Sequence, residues 1–598
     1  MTNTNSKFLF FTGKGGVGKT SLACATAVKL ADEGKRVLLI STDPASNLED
    51  VLESPVKTEI TPHKLLSNLY TVNINPETAA EEYRGRVIAP LNGIATASEI
   101  NKIREGLAGA CTTEIASFDE FSRFITGEGS AESYDVVIFD TAPTGHTIRL
   151  LELPAAWDDF LQGNPNGATC IGPSSALKSS KERYEKVINS LRDPGQTTFY
   201  LVARSEKASL KEAARTSTEL KDLGMDNQKL LINGVFTAID DNDPLALKIA
   251  QIAGKELSEM PDALRDLDCT TYPLLPYNVL GVEKLRSLLN KDLQKEIIDR
   301  EIAGKDQYTS ALGDLSALVD ALEGENDHGL IMTMGKGGVG KTIVAAAIAT
   351  MLAQRGHDVL LTTTDPAAHI RDFINQLEEV PQKLTVERID PKVETQHYVE
   401  KIVKQKGADL DDEGRKMLLE DLRSPCTEEV AVFNAFSGAI FKAKRQFVVI
   451  DTAPTGHTLL LLDTTGSYHR EILKKVSIGS GKVKTPYMFL QDGDFAKILL
   501  ISLPETTPMR EAESLQNDLK RAGITPYAWV INQCLSALKD LKDPLLQKRA
   551  AAEIAVINNI REKLSARTYG IPYIPEEKLL PALLSKYREP VSTGRVSD

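Results

Sequence analysis

Two copies of one octapeptide carry the clearest chemistry in this 598-residue chain: GKGGVGKT stands at Gly13–Thr20 and again at Gly335–Thr342. Each copy follows an apolar, strand-like run and precedes an Ala-rich helical stretch. In that setting the glycines (Gly13, Gly15, Gly16, Gly18 and Gly335, Gly337, Gly338, Gly340) let consecutive backbone N–H groups converge on phosphate oxygens at a helix N-terminus. The ammonium groups of Lys19 and Lys341 then reach β- and γ-phosphates, and the hydroxyls of Thr20 and Thr342 ligate Mg2+. A magnesium-holding carboxylate belongs at the end of a neighbouring strand, and Asp140 and Asp451 end the runs DVVIFD and FVVID. ATP with Mg2+, at two sites, is the expected cofactor pair. A structural glycine turn would explain neither the duplication nor the paired aspartates.

The octapeptides belong to a longer repeat. TDPA recurs at Thr42–Ala45 and Thr364–Ala367, CTTEIASFDEFSRFI from Cys111 parallels CTEEVAVFNAFSGAI from Cys426, and DTAPTGHT stands at Asp140–Thr147 and Asp451–Thr458. The four blocks keep their order at displacements of 322, 322, 315 and 311 residues, far too long for a solenoid. The reading is an N-terminal ATPase half over 1–304, a linker with some helix over 305–327, and a C-terminal ATPase half over 328–598. A tether of that length lets two half-sites face one another as subunits of a dimer would.

To position these groups each half must build a sheet. KFLFFT, RVLLIST, LYTVNI, DVVIFD, TTFYLVA and KLLIN read as strands in the first half, and GLIMTM, DVLLTTT, LTVERI, FVVID, AKILLIS and AWVIN in the second. Near-continuous apolar strands separated by helical patterns indicate a parallel sheet covered on both faces. The fold class is α/β: two homologous P-loop NTPase domains, each a mostly parallel doubly wound sheet, packed as a monomeric pseudo-two-fold dimer.

Composition narrows the function classes. With 42% hydrophobic and 26% charged residues the chain is globular, and its 83 acidic against 70 basic residues give a net charge of −13. That balance argues against a nucleic-acid partner or a polybasic membrane anchor. The start lacks the features of a signal peptide, and the longest apolar run, IVAAAIATMLA from Ile343, is too short to span a bilayer. A cytoplasmic chain with free thiols is expected, and no two of the six cysteines are spaced as CxxC.

Cys24, Cys269 and Cys534 read as small buried hydrophobes. Cys111 and Cys426 occupy equivalent repeat positions, and Ser424-Pro425 looks like an N-cap followed by Pro at the first helical position, so the thiol sits in a first turn where the helix dipole favours thiolate. If the halves pack with pseudosymmetry these two thiols can meet. Cys170 lies in the loop-like run GNPNGATCIGPSS and has no counterpart in the second half. Three thiols suit a soft, three-coordinate ion such as As(III) or Sb(III), although ordinary packing roles remain open on the residues alone.

Resemblance to known families sharpens this. The extra lysine after the first loop glycine, Lys14 and Lys336, resembles the deviant Walker A group, in which this signature lysine reaches across a face-to-face dimer to the transferring phosphoryl group. The same resemblance makes Asp43 and Asp365, in TDPA, carboxylates that position the attacking water, the alternative being a helix cap. It makes DTAPTGHT a switch that senses the γ-phosphate, and Asn233 and Asn532, at the ends of KLLIN and AWVIN, readers of the adenine edge. Within that group, CTTEIASFDEF, CIGP, SPCTEEVAVF and the duplicated DTAPTGHT are similar to the ArsA-type arsenite-stimulated ATPases of arsenical efflux pumps, over essentially the full length. That resemblance implies As(III)/Sb(III) bound by Cys111, Cys170 and Cys426, with His146, His457 and Ser424 completing or adjoining the site. It also implies a membrane efflux subunit of the ArsB type as partner, an ArsD-type metallochaperone as donor, and peripheral association with the inner face of the membrane. Without the resemblance the two histidines read as packing or capping residues.

Other members of the wider group fit less well. ATPases that target tail-anchored membrane proteins resemble one half acting as a homodimer and carry a CxxC zinc pair and a Met-rich groove; this chain has no CxxC and 9 methionines. A nitrogenase-type iron protein requires two cluster cysteines from each half, whereas Cys170 is unmatched. Regulators of septum or plasmid position are single-copy and end in an amphipathic or basic segment, which the tail ALLSKYREPVSTGRVSD is not.

Overall fold

The computed structural model describes residues 6–42, 47–89, 110–126, 133–141, 185–302, 312–325, 327–365, 370–406, 425–452 and 485–587, with short pieces at 96, 100, 168–169, 172–173, 183, 414, 418–419 and 422. The chain divides into two compact units, Met1–Lys305 and Asp306–Asp598. Each holds one large sheet with the P-loop strand at its centre.

In the first unit the strand order is Asp268–Pro273, Gln228–Val235, Thr197–Ala203, Phe8–Thr12, Val136–Asp140, Val37–Ser41, Leu69–Asn73 and Thr61–Pro62. Within this sheet, among the described residues, only the two-residue strand Thr61–Pro62 runs antiparallel to its neighbour; Ala168–Thr169 and Gly172–Pro173 form a separate antiparallel pair. The second unit repeats the seven-stranded parallel part in the same spatial order: Thr568–Pro572, Ala528–Cys534, Ala496–Ser502, Gly329–Met334, Phe447–Asp451, Val359–Thr363 and Leu384–Val386. All twelve strands expected from the sequence are present. Asp268–Pro273 and Thr568–Pro572 are additional, and they occupy the sheet edges.

The continuous apolar runs follow from burial on both faces. Leu9 and Phe11 of the first strand pack with Leu22, Val28 and Leu39 on one side. Phe8 and Phe10 pack with Phe121, Phe139 and Phe199 on the other. Because successive side chains of a strand alternate between faces, such a strand can have no polar position in its middle. The helices that follow the P-loops, Lys19–Asp32 and Lys341–Gln354, lie under their sheets. In the second, every residue from Val344 to Ala353 is buried, so the run IVAAAIATMLA is a core helix of a parallel sheet. Among the described residues no helix is long and apolar enough to cross a membrane.

The stretch 305–327, read as a linker with some helix, holds helix Leu315–Glu323, capped by Asp314, and Leu315, Leu318, Val319 and Leu322 join the core of the second unit. One expectation differs from the structure. Cys24 and Cys534 are buried core residues, but Cys269 is exposed, because its strand lies at the sheet edge with one flank uncovered.

Matching helix caps follow the strands Gln228–Val235 and Ala528–Cys534. Asp243 accepts hydrogen bonds from the Leu245 and Ala246 N–H groups, and Asp543 from those of Leu545 and Leu546, each followed by Pro at the first helical position. Asp243→Ala should lower the unfolding free energy by about 1 kcal/mol and at most ~2 kcal/mol. Urea denaturation reads this, and an unchanged midpoint would show that the cap is not what starts the helix.

Candidate nucleotide sites

Parallel pairing brings the chemistry-bearing strand ends together. Phe8 lies opposite Val137, and Leu330 opposite Val448, so each P-loop strand ends beside the aspartate of its neighbour. The first turn of the following helix then meets that aspartate. Thr20 Oγ1 donates to Asp140 Oδ2 at 2.7 Å, and Thr342 Oγ1 donates to Asp451 Oδ2 at 2.8 Å. Asp140 is 2% exposed and Asp451 0%. Burial pushes Asp451 up to about 6, against the pull of Lys341 and of the Thr342 hydroxyl, with Asp365 adding to the rise. A buried carboxylate beside a hydroxyl is a hard-oxygen donor set that suits Mg2+ accompanied by phosphate and water oxygens. Among the described residues no group of three or more His, Cys, Asp or Glu side chains forms a cage for a metal ion.

The loop is shaped by a backbone requirement and an amide. Gly18 and Gly340 have φ of 92° and 89°, a region that glycine enters without strain. A Cβ at either position would also overlap the amide nitrogen of Asn233 or Asn532. Those amides donate to the Val17 and Val339 carbonyls at 2.9 Å each. The two asparagines named from sequence therefore support the loop directly, tying it to strands Gln228–Val235 and Ala528–Cys534. Lys19 and Lys341 are nearly buried, and their ammonium groups arch back to the carbonyls of Lys14 at 3.4 Å and Lys336 at 2.9 Å.

Adjacent threonines fix the strand ends to one another. Thr141 donates through its hydroxyl to the Phe11 carbonyl at 2.9 Å, and Thr452 to the Thr333 carbonyl at 2.8 Å. Thr42 and Thr364 N–H groups donate to the carbonyls of Asp140 and Asp451, each at 3.0 Å. Asp365 follows directly, half-buried, its N–H donating to Thr363 Oγ1 at 3.0 Å.

The two signature lysines differ. Lys336 forms an ion pair with Glu511 of helix Thr506–Arg521, and both side chains are largely buried. Lys14 has no ion-pair partner among the described residues. The position matching Glu511 is Glu212, which pairs with Arg215 at 2.9 Å, whereas the residue matching Arg215 is Ser514. A second asymmetry lies behind Asn532: buried Glu553, pushed up to about 7 by that burial, accepts from the Leu535 and Ser536 N–H groups, while Ala253 stands at the matching place in the first half. Sequence reasoning passed over Glu511 and Glu553. Each stands in an ordinary amphipathic helix and acts on a residue distant in the chain.

Cys111 is the second residue of helix Ala110–Thr126, and Cys426 is the second of helix Pro425–Lys442, which opens on Pro425. The equivalent first-turn placement expected from the repeat is thus seen in both backbones. The side chains of these two cysteines lie outside the described residues, as do Asp43, His146, Cys170, Ser424 and His457.

A glycine loop, an invaginated lysine and a buried Thr–Asp pair, repeated on two parallel sheets, define a tandem P-loop ATPase. The model of the anion-transporting ATPase family, the ArsA type, matches residues 6–295, 328–484 and 463–580, and the chain belongs to that family. It is 48% identical over 586 residues, 98% of each chain, to the arsenical pump-driving ATPase of Acidiphilium multivorum. A protein of the same description from Escherichia coli is 48% identical over 584 residues, 97% of this chain and 98% of its own. A putative arsenical pump-driving ATPase of Halobacterium salinarum is 33% identical, covering 96% of this chain and 92% of its own.

Mg2+ held by Asp451 would compete with a proton, because burial raises that carboxyl. Below pH ~6 the carboxyl is protonated, so the Mg2+ concentration for half-saturation of the second site should rise by up to about tenfold per pH unit. Mg2+ titrations with ATP between pH 8 and pH 5, in a chain whose first site is disabled by Lys19→Ala, measure this. A flat profile would remove Asp451 from the magnesium site.

Proposed function

We propose that this ATPase is stimulated by As(III) and Sb(III) and energises their efflux through a membrane partner of the ArsB type. The observation that carries the reading is the pair Cys111 and Cys426 at matching helix starts, in a chain similar over nearly its whole length to arsenical pump-driving ATPases. Cys170 supplies a third thiol, and three soft sulfur donors suit a trigonal metalloid better than an oxygen-loving metal. His146, His457 and Ser424 complete or adjoin that site. An ArsD-type chaperone delivers the metalloid, and the chain works on the cytoplasmic face of the membrane without entering it.

The nucleotide chemistry follows from the groups already placed. Backbone N–H groups of Gly13–Gly18 and Gly335–Gly340, with Lys19 and Lys341, hold the phosphates. Thr20 with Asp140, and Thr342 with Asp451, would hold Mg2+, which would supply positive charge beside the phosphates. Asp43 and Asp365 orient water. Its oxygen bonds to the γ-phosphorus as the bond to the bridging oxygen of ADP breaks, and its proton passes to the released phosphate. Asn233 and Asn532 face the adenine edge from the same position that supports the loop. Metalloid shared between thiols of the two halves favours the closed form, in which Lys14 and Lys336 each stabilise the phosphoryl group held by the other half.

The direct test is steady-state ATP hydrolysis with and without arsenite or antimonite. The unsubstituted chain should be stimulated severalfold, and Cys111→Ala/Cys426→Ala should keep its unstimulated rate while losing the response. Stimulation that survives loss of both thiols, or is absent throughout, contradicts the proposal. The ion pair of Lys336 adds a second expectation. Releasing the lysine by Glu511→Gln should raise the unstimulated rate about fivefold, the equivalent of an ion pair of about 1 kcal/mol. A rate that falls instead would show that Glu511 supports the site and does not restrain it.

A further inference from the structure

The turn that leaves strand Ala528–Cys534 is held at two points, by an amide and by a carboxylate. Asn532 Oδ1 accepts from the Gln533 N–H at 2.9 Å, while its Nδ2 donates to the Val339 carbonyl of the P-loop, also at 2.9 Å. Gln533 has a φ of 59°, a left-handed conformation that a residue with a side chain adopts only at a cost. The matching residue in the first half is Gly234, with a φ of 69°, and glycine enters that region freely. Beyond Cys534 the chain meets Glu553, which lies in helix Pro544–Asn559 and is 6% exposed. Its Oε1 accepts from the Leu535 N–H at 3.1 Å, and its Oε2 from the Ser536 N–H at 2.8 Å.

The fold does not need this carboxylate. Ala253 holds the matching place in the first half, where the same strand, turn and Asp–Pro-capped helix form without it. Nor does stability account for it. Burial pushes Glu553 up from its ordinary 4.5 to about 7, against the pull of the Ser536 and Leu535 groups and of Arg549, which itself pairs with Glu505 at 2.9 Å. A carboxyl raised in this way costs the folded chain stability as the pH climbs through that window, because the unfolded chain ionises first. What the contact adds is a fixed backbone: two charge-assisted bonds hold the left-handed turn to one path.

The place of that turn gives the fixing a use. In a parallel sheet, ligands bind over the C-terminal ends of the strands. Asp451, which would hold Mg2+ beside the terminal phosphates, ends the strand on one flank of the P-loop strand. Asn532 lies near the end of a strand on the other flank, two places away. A nucleotide whose phosphates fill the P-loop and whose γ end faces Asp451 therefore extends its nucleoside towards Asn532 and the turn after it. We propose that Glu553 is a positioning residue for the nucleoside at the second site, holding residues 533–536 in the conformation that receives it. The assignment rests on the reading of Asn532 as facing the adenine edge. Without Glu553 the turn must be ordered as the nucleotide binds, which weakens affinity for the whole nucleotide but not for its phosphate chain alone.

The experiment titrates the full chain calorimetrically with Mg·ATP and with Mg·tripolyphosphate, the phosphate chain without a nucleoside. All chains carry Lys19→Ala, which leaves the second site alone to bind. Glu553→Ala should raise the ATP dissociation constant about tenfold and leave that of tripolyphosphate within about twofold. Glu553→Gln, which keeps the shape and one acceptor, should raise the ATP constant about threefold, and it tests the proposal even where the alanine variant fails to fold. An ATP constant unchanged by these substitutions overturns the proposal. Parallel weakening of both ligands also overturns it, since that marks support of the P-loop or of the fold as a whole. A second site with Glu553 intact that holds ATP no more tightly than tripolyphosphate would instead sink the adenine-edge reading of Asn532, and this inference with it.

Discussion

Burying a carboxylate at the end of a central strand costs several kcal/mol unless compensating groups surround it, and each half of this chain does so beside the first turn of a helix. In the second half the compensation comes from the Thr342 hydroxyl, from Thr333 and Thr363 on the adjoining strands and from Lys341 nearby; in the first, Thr20 donates to Asp140. Much else follows from that placement. The aspartate has to end the strand beside the P-loop strand, which sets the strand order. The threonine has to fall in the first turn, which sets the loop length. A left-handed glycine then has to precede the helix, and the asparagine amide fills the space a side chain would have taken. Both sheets bring a threonine, an aspartate, a left-handed glycine and an asparagine together in the same way, which makes two nucleotide sites a consequence of the fold.

Around that shared frame the halves have diverged in ways that bear on control. Lys336 is held by Glu511, and its counterpart Lys14 has no such restraint among the described residues. Glu553 grips the loop behind Asn532, where the first half has Ala253. Asp119, paired with Arg86 and Arg183, ties three segments of the first half together, where the second has an exposed Asn434. Fusion of two ATPase halves in one chain permits this specialisation, since each copy can change without imposing the same change on the other.

The sequence made the frame legible because repetition and hydrophobic pattern are local signals. All twelve apolar strands, the P-loops, the strand-end aspartates and Pro425 at a helix start could be read directly. The edge strands Asp268–Pro273 and Thr568–Pro572 could not, because a strand covered on fewer sides keeps polar residues and loses the apolar run. The same edge leaves Cys269 exposed where burial was expected. Helix Leu315–Glu323 was expected only as some helix within a linker, and that its apolar face joins the core of the second unit was not legible. Glu511 and Asp119 escaped for a different reason: their partners lie 175, 33 and 64 residues away, and nothing in a helix pattern marks which acidic residue turns inward.

The central claim is that one metalloid site governs two nucleotide sites of this kind. Trapping of Mg·ADP with fluoroaluminate, counted per chain with and without antimonite, tests it most directly, because the trapped complex forms only where the lysine, threonine and aspartate are assembled around a transferring phosphoryl group. The account predicts that antimonite raises trapping towards two nucleotides per chain, and that Asp140→Asn or Asp451→Asn each removes one. Trapping that is indifferent to antimonite, or a second nucleotide that persists after either substitution, would contradict it.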